Sequence, residues 1–91
     1  MIKKQVMKMS ELSKLPNVGK VLEQLLIEVG ITTPEQLREI GTKEAFIRIR
    51  TKDPTACIQI LYGVQGAVEG IKDKFLSEST KEDLKKFYKS L

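Results

Sequence analysis

Residues 53–71, "DPTACIQILYGVQGAVEGI", constrain the fold more than any other stretch of this chain. A helix over residues 56–64 is apolar on nearly every face, with Gln59 the exception. Such a helix persists in water only when other elements surround it, so it is expected at the centre of the fold. Asp53 followed by Pro54 reads as an N-cap and a first helical position, which starts the helix there. Gly63, Gly66 and Gly70 fall within the same predicted helix, each disfavoured by about 1 kcal/mol relative to alanine. Gly63 with Ala67, and Gly66 with Gly70, are small-xxx-small pairs that let a neighbouring helix approach closely. That neighbour is either another helix of the same chain or a second copy across a dimer seam.

The rest of the sequence supplies surrounding helices. "SELSK" at 10–14 reads as a short helix capped by Ser10, ended at the Leu15-Pro16 step because proline disfavours helix in the residue before it. Val18, Val21, Leu22, Leu25, Leu26 and Val29 then recur at helical spacing as one apolar stripe, and Gly30 follows where a left-handed cap is expected. Thr33 as N-cap, Pro34 at the first position and Gly41 as terminator bracket the next helix. Thr42 is expected to cap a further one with Ala45, Phe46 and Ile49 inward. The last element sets Leu84, Phe87, Tyr88 and Leu91 on one face. Its Lys85, Lys86 and Lys89 suit the negative end of the helix dipole. The expected fold is all-α, a compact bundle of five or six short helices, with a basic arm over residues 1–9 and one helical domain over 10–91.

Composition removes much chemistry. The chain has 91 residues, enough for one modest core, with no histidine and one cysteine, Cys57. An intramolecular disulfide, a Cys/His zinc site and histidine acid–base catalysis are therefore excluded. Tyr62 and Cys57 make no recognisable nucleophile–base pair, so no catalytic residue, metal or cofactor is expected. Cys57, one turn into the predicted central helix, is expected as a buried apolar thiol; a dipole-stabilised thiolate is the other reading. The longest apolar runs are too short to span a bilayer, and a lone cysteine fits a reducing cytoplasm.

The formal charge of +4 is unevenly placed. Residues 1–20 hold five lysines (Lys3, Lys4, Lys8, Lys14 and Lys20) against Glu11, while the remaining acids and bases cancel. Within that basic segment lies "LPNVGK", residues 15–20, which has the form of a helix-hairpin-helix turn. Such a turn binds nucleic acid through backbone N–H groups left free at the start of its second helix, which hydrogen-bond a phosphate. Asn17 tolerates positive φ, Val18 anchors the turn inward, Gly19 opens the approach and Lys20 adds charge, with Lys14 assisting. Duplex DNA, held without sequence preference, is the expected partner. The alternative is a protein-interaction or dimerisation module whose hairpin is only a tight αα turn. "LREIG" at 37–41 faintly repeats the leucine, aliphatic and glycine of "LPNVG".

Several blocks together resemble the C-terminal domain of the TfoX (Sxy) family: the hairpin at 15–20, "GITTPEQLREIG" at 30–41, "EAFIRIR" at 44–50, "DPTAC" at 53–57 and "LYGVQGAVEGI" at 61–71. The resemblance extends over roughly residues 10–90, including the terminal "LKKFYKSL". It implies an all-helical domain with a helix-hairpin-helix-like segment and a link to regulators of natural DNA competence in bacteria. Asparagine at the place of Asn17 is usual in that family. Its full-length regulators carry an N-terminal α/β domain ahead of this one, so a stand-alone copy is expected here. The family supplies no agreed catalytic residues.

Overall fold

Apolar residues three and four apart build five α-helices in the computed structural model, which describes residues 11–91. The basic arm and the Ser10 cap lie outside the described residues. The helices are α1 (Lys20–Glu28), α2 (Pro34–Ile40), α3 (Thr42–Lys52), α4 (Ile58–Glu69) and α5 (Glu78–Lys89), with short 3-10 turns at Glu11–Lys14 and Asp73–Phe75. No strand occurs among the described residues. The all-α expectation is met.

α4 is the element the others enclose: it packs against α2, α3, α5 and the Asp73–Phe75 turn. Leu61, Val64 and Ala67 on α4 are fully buried, as are Leu26 of α1, Leu37 of α2 and Ala45, Phe46 and Ile49 of α3. Leu12 of the first 3-10 turn is fully buried too, and Leu84 of α5 nearly so. Caps fix several boundaries. Thr33 accepts a hydrogen bond from the Gln36 N–H at 3.1 Å, with Pro34 at the first position as expected. Ser77 accepts from the Thr80 N–H at 3.1 Å and starts α5.

The structure differs from the sequence expectation at six places. Asp53 and Pro54 do not begin the central helix. Asp53 instead ends α3, its N–H donating to the Ile49 carbonyl at 2.7 Å. Its carboxylate accepts from the Thr55 N–H at 3.1 Å and the Thr55 hydroxyl at 2.6 Å. This turn, two residues long, competes with the N-cap geometry, in which the carboxylate would reach an N–H two or three residues on with the chain already helical. α4 consequently starts at Ile58, with Cys57 as its N-cap.

That displacement also moves Cys57 out of the core, and its thiol is exposed. Thr42 is not a cap: α2 and α3 are joined by Gly41 alone, at φ 87°, so glycine takes the cap position and Thr42 becomes the first helical residue. Gly70 is not inside α4 but just past it at φ 80°. Its N–H donates to the Ala67 carbonyl at 3.3 Å, and the Ile71 N–H to the Gly66 carbonyl at 2.9 Å, a Schellman closure.

Val21 leaves the apolar stripe and is 74% exposed. It lies about 100° around the helix from Leu22 and about 140° from Leu26, the two α1 residues that define the buried direction. Leu91 lies beyond the end of α5 and is half exposed.

Candidate functional site

The hairpin at 15–20 is held from below. The Leu15 N–H donates to the Leu12 carbonyl at 3.0 Å and the Val18 N–H to the Leu15 carbonyl at 3.3 Å. Asn17 stands between them at φ 70°, the one non-glycine residue with positive φ among the described residues. Its side chain turns inward. The amide nitrogen donates to the Gly63 carbonyl at 3.3 Å and the Ile71 carbonyl at 3.0 Å, and the amide oxygen accepts from the Asp73 N–H at 3.1 Å.

The glycines of α4 make the seat for this amide. A Cβ on Gly63 would lie 3.6 Å from the Asn17 Cβ, in ordinary contact. A Cβ on Gly66 would collide with the Asn17 amide nitrogen and lie 2.7 Å from the Ile71 carbonyl oxygen. The close approach at Gly66 is thus made by a hairpin side chain and the 71–73 backbone of the same chain. Gly70 has its separate role in ending the helix. Ala67 is buried in the core.

What faces outward is the start of α1. Gly19 is its N-cap, in extended conformation at φ −95°, so positive φ is not what this position requires. A Cβ there would meet nothing within 4 Å, and no side chain caps the helix. The intrahelical ladder begins with Glu23, whose N–H donates to the Gly19 carbonyl at 2.9 Å. The N–H groups of Lys20, Val21 and Leu22 have no carbonyl four residues back in the helix to receive them. Lys20 is exposed and makes no ion pair among the described residues.

The five hairpin residues named from sequence therefore divide. Gly19 and Lys20 stand at the open helix start. Val18 is buried with its N–H already used, and Asn17 is committed to the interior. Lys14 sits 3.6 Å from Glu11 in an exposed pair, so the glutamate offsets the local charge it brings. The faint repeat has a structural counterpart, since Gly41 is also an N-cap without a side-chain bond. There, however, Lys43 pairs with Asp83 of α5 at 3.0 Å and lies 5.5 Å from the centre of the Phe87 ring. α5 thus engages the second hairpin's lysine, while the first hairpin's lysine is unengaged.

A groove of about 450 Å³ runs from the first turn of α1 to α4. Val21, Leu22, Ile60 and Gly63 give it apolar walls, and Lys20, Gln59 and Asp73 bring polar groups to it. Sequence reasoning missed both this groove and the Asn17 clamp beneath it. The only advance signal was the pair of glycines in an otherwise apolar helix. No group of three metal-ligating side chains occurs among the described residues, and no described helix is long and apolar enough to cross a membrane.

Residues 8–88 match the family described as TfoX C-terminal domain. The chain is 34% identical over 80 residues to Protein Sxy of Escherichia coli K12, covering 88% of this chain and 38% of that protein. It is 33% identical over 79 residues to DNA transformation protein TfoX of Haemophilus influenzae, covering 87% of this chain and 36% of that protein. The chain thus spans well under half the length of either relative. Two crystal structures from Listeria monocytogenes are similar throughout. One, an uncharacterized protein in triclinic form, is 53% identical with a TM-score of 0.86, covering 87% of this chain and 90% of its own. The other, a protein of unknown function in tetragonal form, is 52% identical with a TM-score of 0.86, covering 88% and 98%.

Proposed function

We propose, from the premise that this chain belongs to the TfoX C-terminal domain family, that it is a non-enzymatic cytoplasmic module that contacts duplex DNA through the phosphate backbone. The observation that carries this reading is the bare start of α1. Three N–H groups lack a helical acceptor there, the glycine cap sets no side chain over them, and Lys20 stands beside them without an ion pair among the described residues. Partial positive charge at a helix N-terminus and N–H donors in register are what a phosphate oxygen requires. The name of the Haemophilus influenzae relative, a DNA transformation protein, is in keeping with this reading. Nothing at the helix start reads a base edge, so binding is independent of duplex sequence. Asp73 on the groove rim opposes it, and Asp73→Asn should tighten binding.

Titration of the full chain with labelled duplex at two salt concentrations tests this. Binding should be weak, on the order of 10⁻⁴–10⁻⁶ M, with a log–log salt slope near −0.9 per phosphate neutralised. Lys20→Glu should weaken all sequences alike and flatten the slope. Gly19→Asp is the sharper variant. An aspartate there caps α1 with its own carboxylate, so the fold should gain slightly in stability while DNA binding is lost. Duplex binding that survives Gly19→Asp, or none at low salt in the unaltered chain, would refute the proposal. The hairpin would then be a structural turn.

A further inference from the structure

The groove beside the hairpin is more than a duplex backbone needs. A phosphate meets the α1 start from outside, whereas the groove continues inward between apolar walls to Ile60 and Gly63. Its volume of about 450 Å³ lies in the range of sites that enclose a small organic group, roughly 300–1,000 Å³. Gln59 and Asp73 also line a second, smaller depression of about 220 Å³, where Tyr62, Lys74 and Lys81 join them. Phe75, which follows Lys74 in the chain, is 67% exposed, a large aromatic surface presented to solvent, with the Lys74 ammonium 5.4 Å from its ring centre. The two depressions thus join at Gln59 and Asp73, with Lys20 at one, Lys74 and Lys81 at the other, and the Phe75 ring under the Lys74 ammonium.

We propose that this face takes a single nucleic-acid strand, with one unpaired base in the groove between α1 and α4 and a neighbouring base stacked on Phe75. The proposal rests on the phosphate-binding reading above and narrows its ligand to strands with unstacked bases. Paired bases lie inside the stack and cannot enter a groove unless they leave it. An unpaired base has a π-face for Phe75 and an apolar body for the walls at Val21, Leu22 and Ile60. Gln59 and the Asp73 carboxylate offer acceptors to a donor N–H on its edge, such as the thymine N3–H. Charge complementarity comes from Lys20, Lys74 and Lys81, which make no ion pair among the described residues and flank the path where the phosphates would run. Asp73 is the one carboxylate lining either depression.

Fluorescence anisotropy with a labelled oligothymidylate, and with the same strand annealed to its complement at equal salt, tests the idea. The single strand should bind more tightly than the duplex. Phe75→Ala should weaken single-strand binding at least about 5-fold and leave duplex binding unchanged, the least expected for losing one base stack. Phe75→Leu keeps the apolar area without the ring face and should fail in the same way. Amide resonances of Ile60, Gly63 and Phe75 should shift with oligothymidylate, while duplex should shift only residues around Gly19 and Lys20. Equal affinities, with shifts confined to the helix start, would overturn this inference and leave the duplex reading intact. Absence of binding by either probe would remove both.

Discussion

Replacing Asn17 by glycine isolates the clamp from the turn it sits in. Glycine accepts φ 70° without strain, so the backbone keeps its shape and only the amide is lost. Three hydrogen bonds go with it, at 3.3, 3.0 and 3.1 Å. At about 0.5–1.5 kcal/mol net each, their sum is roughly 1.5–4.5 kcal/mol. The site is only partly buried, and water can rejoin the Ile71 carbonyl and the Asp73 N–H. The lower half of that range, about 1.5–3 kcal/mol, is therefore expected. For a domain of this size it lowers the thermal midpoint by roughly 6–24 °C. Asn17→Asp is nearly isosteric but turns a carboxylate oxygen toward two carbonyls, and at neutral pH it should cost more than glycine. Thermal and urea unfolding followed by circular dichroism measure both variants. Coupling provides a second check. Gly66→Ala in the unaltered protein drives a Cβ into the Asn17 amide, but in Asn17→Gly that obstacle is gone and the Ile71 carbonyl and the Asp73 backbone nitrogen remain. The alanine should therefore cost less in the double variant, by an interaction of about 0.5–3 kcal/mol. A glycine variant within 2 °C of the unaltered protein (about 0.5 kcal/mol or less), or strict additivity with Gly66→Ala, would refute the clamp.

Three further outcomes can be measured directly. The Thr55 hydroxyl, followed by the Thr55 N–H, holds the Asp53 carboxyl below its ordinary value of 3.8. The associated stability is present above that value and lost as pH falls through the folded one, and an NMR titration in which Thr55→Val leaves Asp53 unmoved would contradict it. Cys57 should react with a thiol reagent in one fast phase in the native protein, and a rate limited by unfolding would show the thiol to be buried. Gly70→Ala should cost about 1–2 kcal/mol because alanine resists φ 80°, and an unchanged urea midpoint would argue against the left-handed cap.

Local signals in the sequence determined most of the architecture. Thr33-Pro34 and Gly30 act within one turn of themselves, and their helix ends fall where expected. Phe46, Ile49, Leu61 and Val64 are dictated by burial period and lie in the core. Asp53 failed because two local geometries share one signature: an aspartate before proline caps a helix or closes a turn onto residue 55, and the neighbouring threonine decided it. The shift of α4 then carried Cys57 outward with no signal of its own. Val21 shows that an apolar stripe six residues deep is wider than the contact it makes. In the candidate site, Gly19 and Lys20 are legible because an open helix start is a local property. The bonds of Asn17 are not, since their partners lie 46 to 56 positions away and no spacing rule reaches that far.

That separation has a consequence for how the molecule assembles. The links α2–Gly41–α3 and α3 to α4 close over short loops, and loop closure of that kind is fast. Asn17 finds its carbonyls only after the end of α4 has been capped and the chain has returned through residues 71–73. The hairpin is therefore expected to dock after the folding barrier is crossed, so Asn17 variants should speed unfolding and leave the folding rate nearly unchanged. The same order run backward makes the start of α1 the first part of the domain to detach. Hydrogen exchange at Glu23, the first bonded N–H of α1, should then outpace that of α4 by a wide margin. A phosphate bridging Lys20 to the rest of this face would slow that detachment, tying occupancy of the hairpin to the lifetime of the native state.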